Sequence, residues 1–219
     1  IFVKMQKTMD TKKMPFDLAF IAKVFKLERS GTCTQLDNWL NKPFELDAFE
    51  QKLLDKVHSE MLVSSNYLNE EEIKIRLIAP LFEIANIDVD NQIRVFYERP
   101  LTTEIDEYSI AVVCDCMVAA SSIFKTPTHP YFFLQEFTKA KGEKKDPEAQ
   151  MLLAMLAAQK ENNDGKPIYG GFLIGATWNL ATLVGREYCT SRQYFATDKQ
   201  DLLQIIYALR QLKFLILNG

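Results

Sequence analysis

The 219-residue chain is poor in the residues that loosen or cross-link a fold: it has eight glycines, eight prolines, four cysteines and two histidines. With so few Gly and Pro, and no internal repeat or low-complexity segment, a string of modules on disordered tethers is excluded. The cysteines, Cys33, Cys114, Cys116 and Cys189, form one C-x-C and no C-x-x-C, and neither His58 nor His129 is near a cysteine pair in sequence. No structural zinc site is expected from that pattern, and the thiols are expected to be free and buried, as in a reducing cytoplasm. No apolar run approaches the roughly 18 residues of a membrane span. The opening stretch IFVKMQKTMDTKKM lacks the apolar core and cleavage site of a signal peptide. The expected setting is therefore the cytoplasm, with no membrane partner. Neither sign of charge dominates: a net charge of -3 argues against a general coat of nucleic acid, but leaves room for a local basic groove.

What is present suits one α/β domain with a helical extension. Hydrophobic residues make up 47% of the chain and charged residues 25%, enough to build a sizeable core at this length. The first third reads as helical, over 17–28, 36–41 and 45–62. In the last of these Leu46, Phe49, Leu53 and Val57 fall on one stripe. Asn69 is placed to cap a helix over 70–86, with Pro80 expected to kink it or tighten a turn. The period then changes. Residues 92–99, 108–120 and 129–138 read as strands, the second of them apolar enough to be buried on both faces. Asp146 and Pro147 open a helix over 147–162. Strands at 166–176, 178–185 and 186–192 and a helix at 199–216 follow. The resulting fold class is α/β, a mixed central sheet flanked by helices, with an N-terminal helical extension over 1–66 and the main domain over 67–219.

Two acids stand out because they interrupt apolar strands: Asp115 in VVCDCMVA and Glu136 after YFFLQ. Alternation puts Cys114 and Cys116 on one face of their strand and Asp115 on the other, and puts Leu134, Glu136 and Thr138 on a common face. Burying an unpaired carboxylate costs several kcal/mol or forces it to keep a proton. Two such acids become tolerable if they share a cation such as Mg²⁺, which takes oxygen ligands at about 2.1 Å. The plainer reading is two unrelated acids, each satisfied by backbone or by a lysine.

The order of elements and motifs resembles the PD-(D/E)XK nuclease superfamily, with its restriction-endonuclease-like fold, in a bacterial branch. The resemblance runs over about residues 45–215. It is carried by LNEEEIKIRLIAPLF, DCMVAASS, PYFFLQEF, DPEAQMLLAMLAAQ, PIYGGFLIGATWNLATLVGREYCTSR and LLQIIYALRQLK. It implies a Mg²⁺- or Mn²⁺-dependent phosphodiesterase acting on DNA, with RNA left open; a homodimer is compatible with the sequence but not shown by it. By resemblance, Asp115 and Glu136 are the metal carboxylates, and Gln150 matches a glutamine found in the helix after the core motif. Glu70, or failing it Glu72, is the acid of the preceding helix. Glu70 is preferred because positions 70, 74, 77 and 81 form one stripe. Tyr169 fits either a site tyrosine or plain sheet packing.

The departure is Thr138, which occupies the place where the superfamily carries a lysine. Lys139 follows one residue later and points to the site only if the strand ends or bulges after Phe137. Lys139, Lys141, Lys144 and Lys145 could meet a phosphodiester backbone or form a solvated turn. Two readings therefore stand side by side: a nuclease that uses Lys139, and a catalytically inactive nucleic-acid-binding or protein-interaction module on the same fold.

Overall fold

The structure, a computed structural model, describes residues 11–30, 33–40, 42–139 and 146–218. Lys141, Lys144 and Lys145 lie outside the described residues. The elements run β1 (Lys12–Lys13), α1 (Leu18–Phe25), β2 (Glu28–Ser30), α2 (Thr34–Trp39), α3 (Ala48–Ser64), α4 (Glu70–Ile73), a π-helical turn (Lys74–Ile78) and α5 (Ala79–Ala85). They continue as β3 (Ile93–Ile105), β4 (Tyr108–Ser121), β5 (Pro127–Thr138), α6 (Pro147–Asn162), β6 (Ile168–Ile174), β7 (Thr177–Val184), β8 (Glu187–Thr190), β9 (Tyr194–Phe195) and α7 (Lys199–Asn218).

The strands form one mixed sheet in the order β1-β4-β5-β6-β7-β8-β2, with β3 beside β4 and β9 beside β7. The β5–β6 pair is parallel because α6 crosses between them, whereas β3–β4 and β6–β7 are antiparallel hairpins. One face of the sheet carries α2, α3, α4, α5 and α7, and the other carries α1 and α6, so the sheet is buried between two apolar layers. The result is the expected α/β class, a large mixed sheet flanked by helices. Among the described residues no helix is long and apolar enough to cross a membrane.

The caps sit where the sequence puts them. Asp146 accepts a hydrogen bond from the Ala149 N–H at 3.0 Å, and Pro147 opens α6. Ten residues of α6 are buried, among them Ala149, Ala154, Ala157 and Ala158; those small side chains let the helix lie close against β5 and β6. Pro80 does not break its helix. It has no N–H to offer the carbonyl of Arg76, and the wider π-helical turn just before it absorbs the mismatch.

Several expectations are corrected. The first third is not wholly helical, because β1 pairs with β4 and β2 with β8, both parallel. Strands of two and three residues are too short to show alternation. The inward stripe of α3 is Leu54, Val57 and Met61, while Phe49 is 68% exposed. β3 runs on through Pro100 to Ile105; among the described residues β4 is the one strand it pairs with, and such a marginal strand tolerates a proline. The first third also packs into the main core: Trp39 is fully buried, lies edge-on to Phe133 and Tyr169, and donates its Nε1–H to the Ala208 carbonyl at 2.7 Å.

Two adjacent glycines in β6 separate a tight fit from a forgiving one. A Cβ at Gly171 would lie 2.9 Å from Trp178 Nε1 and 3.2 Å from Phe133 Cζ, both on rigid rings. At Gly170 it would meet the sulfur atoms of Met155 and Met151, the movable parts of flexible chains. Gly171→Ala is expected to destabilise the fold by about 1–3 kcal/mol and Gly170→Ala by less, as read by urea unfolding. Equal losses would contradict this account of the packing.

Candidate functional site

Asp115 and Glu136 are brought together by the β4–β5 ladder. Its last pair there is Cys116↔Gln135, and the next residue on each strand is one of the two acids. Their side chains are joined by a hydrogen bond. Beyond this pair the strands part, and the Asp115 side chain fills the gap: the Phe137 N–H donates to Asp115 Oδ2 at 2.8 Å.

Glu136 is 2% exposed, and its Oε1 is buried with no hydrogen-bond partner among the described residues. Burial pushes its pKa well up, and the charge of Asp115 and a hydrogen bond between the two side chains push the same way. A backbone hydrogen bond from Asp115 opposes the rise without cancelling it. Two carboxyl groups this close in a poorly solvated place must share either a proton or a cation. Oxygen-only donors and a buried, unmatched Oε1 fit a small hard divalent cation.

The face of β4 changes at the site. Cys114 belongs to the core on the α6 side and Cys116 to the core on the opposite side, so the two do not share a face as alternation predicts. The change coincides with an irregularity in β3. Glu98 adopts a left-handed backbone, φ 50°, and the ladder is regular at Tyr97↔Cys116 and Arg99↔Cys114 but interrupted between them. Asp115 sits in that interruption. Burial, reinforced by Glu136 and Asp115, raises the pKa of the Cys114 thiol, and burial followed by the same two acids raises that of Cys116. Neither cysteine is therefore set up as a nucleophile.

Of the other expected residues, Glu72 is committed elsewhere. Its Oε2 accepts the Asn69 N–H at 2.9 Å in a capping box. Glu70 is half-buried, on the stripe that continues to the buried Leu77 and Leu81. Thr138 is 3% exposed on the same strand face as Glu136, and its Oγ1 has no hydrogen-bond partner among the described residues. β5 ends at Thr138, so Lys139 is released from strand alternation, and it is half-buried. Gln150 is half-buried in the first turn of α6. Tyr169 packs at 4.9 Å from the Trp39 ring, which accounts for it as core.

Sequence reasoning missed two residues. Lys74 bonds Glu98 at 2.7 Å and Glu71 at 2.8 Å, tying the helix that carries Glu70 to the kinked part of β3. Burial works against the Lys74 charge, but the hydrogen bonds to Glu71 and Glu98 outweigh it and hold the pKa above its ordinary value. The charge of Glu98 also acts on Glu136. The one available signal was the position of Lys74 on the Glu70 stripe; Glu98 had none.

No protein-family model matches the chain, and no curated protein matches it.

The raised pKa gives the metal-free protein a defined pH response. In the fold Glu136 keeps its proton at pH values where the unfolded chain has released it. The stability this contributes is complete below the ordinary glutamate value of 4.5 and is lost as pH rises through the higher folded value. Glu136→Gln removes the titration. Without metal, the wild type is expected to lose stability relative to Glu136→Gln as pH rises from acid to neutral, measured by urea unfolding at successive pH values. A difference that stays constant with pH would contradict it.

Proposed function

We propose that the chain is a metal-dependent phosphodiesterase acting on DNA, a nuclease of the PD-(D/E)XK type on a restriction-endonuclease-like fold. The observation that carries this reading is the carboxyl pair Asp115 and Glu136, on adjacent strands, with Glu136 Oε1 buried and unmatched among the described residues. These two residues would hold Mg²⁺ or Mn²⁺. Bound there, the ion would lower the pKa of a coordinated water and offset charge on the phosphodiester.

The chain's own residues divide the remaining work. The Phe137 N–H fixes Asp115 by its Oδ2. Glu70 supplies a third acid from the helix, and the Lys74–Glu98 ion pair holds that helix against β3. Lys139, next after the end of β5, would orient a water or meet a phosphate oxygen. Gln150 would hydrogen-bond substrate or a neighbouring ligand from the start of α6. Action on cellular DNA would place the chain in the cytoplasm, and the reading needs no membrane.

Thr138 favours a second reading. A buried threonine stands where the superfamily carries its lysine, as it would in a non-catalytic nucleic-acid-binding or protein-interaction module that kept the fold. Cleavage of plasmid DNA with Mg²⁺ or Mn²⁺ separates the two. The nuclease reading expects cleavage that Asp115→Ala and Glu136→Ala each reduce by on the order of 10²-fold or more. It expects Lys139→Ala to reduce cleavage as well. If the wild type is inert and Thr138→Lys creates activity, the module reading is correct.

A further inference from the structure

A second cluster of ligating side chains lies away from the carboxyl pair. Cys189 is on β8, and β5 is three strands away across the sheet, about 14 Å at ordinary strand spacing. Cys33, immediately before α2, forms a disulfide with Cys189 across a sequence separation of 156. This corrects the expectation that all four thiols are free; Cys114 and Cys116 do remain free and buried. No local motif announces the Cys33–Cys189 pair, because the meeting depends on β2 adding to the sheet beside β8, with Ser30 opposite Cys189.

The surroundings of the pair hold more than a clasp needs. Glu187 is two residues before Cys189 on the same strand, hence on the same face. One ligand atom from each of Cys33, Cys189 and Glu187 lies within 4.8 Å of the others. The Thr182 hydroxyl is 3.4 Å from Cys33 Sγ, and Thr182 stands opposite Cys189 in the β7–β8 ladder. The sulfurs are on buried residues while Glu187 is exposed, so the cluster is closed on the protein side and open on the carboxylate side.

Two sulfurs and one carboxylate make a soft, three-ligand set. Sulfurs at about 2.3 Å on a tetrahedral ion stand about 3.8 Å apart, wider than in a disulfide. The Cα atoms are 6.4 Å apart, toward the wide end of the disulfide range. We infer that the reduced Cys33–Cys189 pair, with Glu187, is a binding site for a thiophilic divalent cation, Zn²⁺, and that the disulfide form is closed to it. Its donors differ in kind from the oxygen donors of Asp115 and Glu136, so the two places select different ions.

The step balances. A dithiol gives two electrons and two protons to the disulfide and leaves as its own cyclic disulfide, so Cys33 and Cys189 become thiols. Zn²⁺ then displaces both thiol protons to solvent and takes two thiolates and the Glu187 carboxylate, leaving a fourth position for water. The inference does not rest on the nuclease reading.

The test uses the full chain, reduced with a water-soluble phosphine, desalted without oxygen and titrated with Zn²⁺ against a chromogenic chelator. The expected result is one Zn²⁺ per reduced chain, with binding at least about 100-fold weaker in the oxidised chain. Cys33→Ser is expected to abolish that binding and Glu187→Ala to weaken it at least tenfold. Co²⁺ in place of Zn²⁺ should give the thiolate-to-metal absorption band. Glu187 is exposed, so its variant keeps the test valid if the buried Cys33 variant fails to fold. Zn²⁺ binding no tighter after reduction, survival of binding in folded Cys33→Ser, an unchanged affinity in Glu187→Ala, or a Co²⁺ complex without the thiolate band would each overturn the inference.

Discussion

Two carboxyl groups, Asp115 and Glu136, are held against each other in a place with little water. Charge repulsion between them and the loss of hydration both oppose that arrangement, and a hydrogen bond from the Asp115 backbone to Glu136 offsets them only in part. An apolar pair of similar size would satisfy the strands better. The fold nevertheless builds the juxtaposition with specific parts: the register that brings the two residues together, the Phe137 N–H that fixes Asp115, and the turn of β3 at Glu98. The functional reading follows from the electrostatic need of this pair.

The scaffold explains why the pair can persist. α6 covers one face of the sheet, and the buried helices of the other face are tied to one another by polar anchors. Trp39 donates to the Ala208 carbonyl, and Arg210 donates to the carbonyls of Ile84 and Glu45 and pairs with Glu50. These bonds join the first third of the chain to α7. A sheet held from both sides resists the strand separation that would let the two acids move apart. The Lys74–Glu98 pair adds a tether at the edge of the site itself.

Much of this was legible from residues alone where the signal was local. Asp146 and Pro147 marked the start of α6, Asn69 marked α4, and the acids inside apolar strands drew attention to the β4–β5 ends. What escaped was set by non-local contacts. Cys33 and Cys189 meet only because β2 pairs with β8. Cys114 and Cys116 part company beside a backbone turn in a different strand, and simple alternation cannot register that. Phe49 looked inward by spacing, but the face α3 buries was chosen by its neighbours, and it begins at Leu54. Glu70 was preferred to Glu72 by its place on the helical stripe, and the Asn69 capping box engages Glu72.

The two clusters give the molecule a division by donor chemistry, oxygen at the β4–β5 end and sulfur at the β8–β2 end, within one sheet. The oxygen end carries the central claim. The most direct measurement is an anomalous difference map from crystals soaked in Mn²⁺. The account predicts one peak within ligand distance, about 2.1–2.3 Å, of carboxylate oxygens from both Asp115 and Glu136. Density that touches only one of these residues, or none beside them at saturating Mn²⁺, would contradict it.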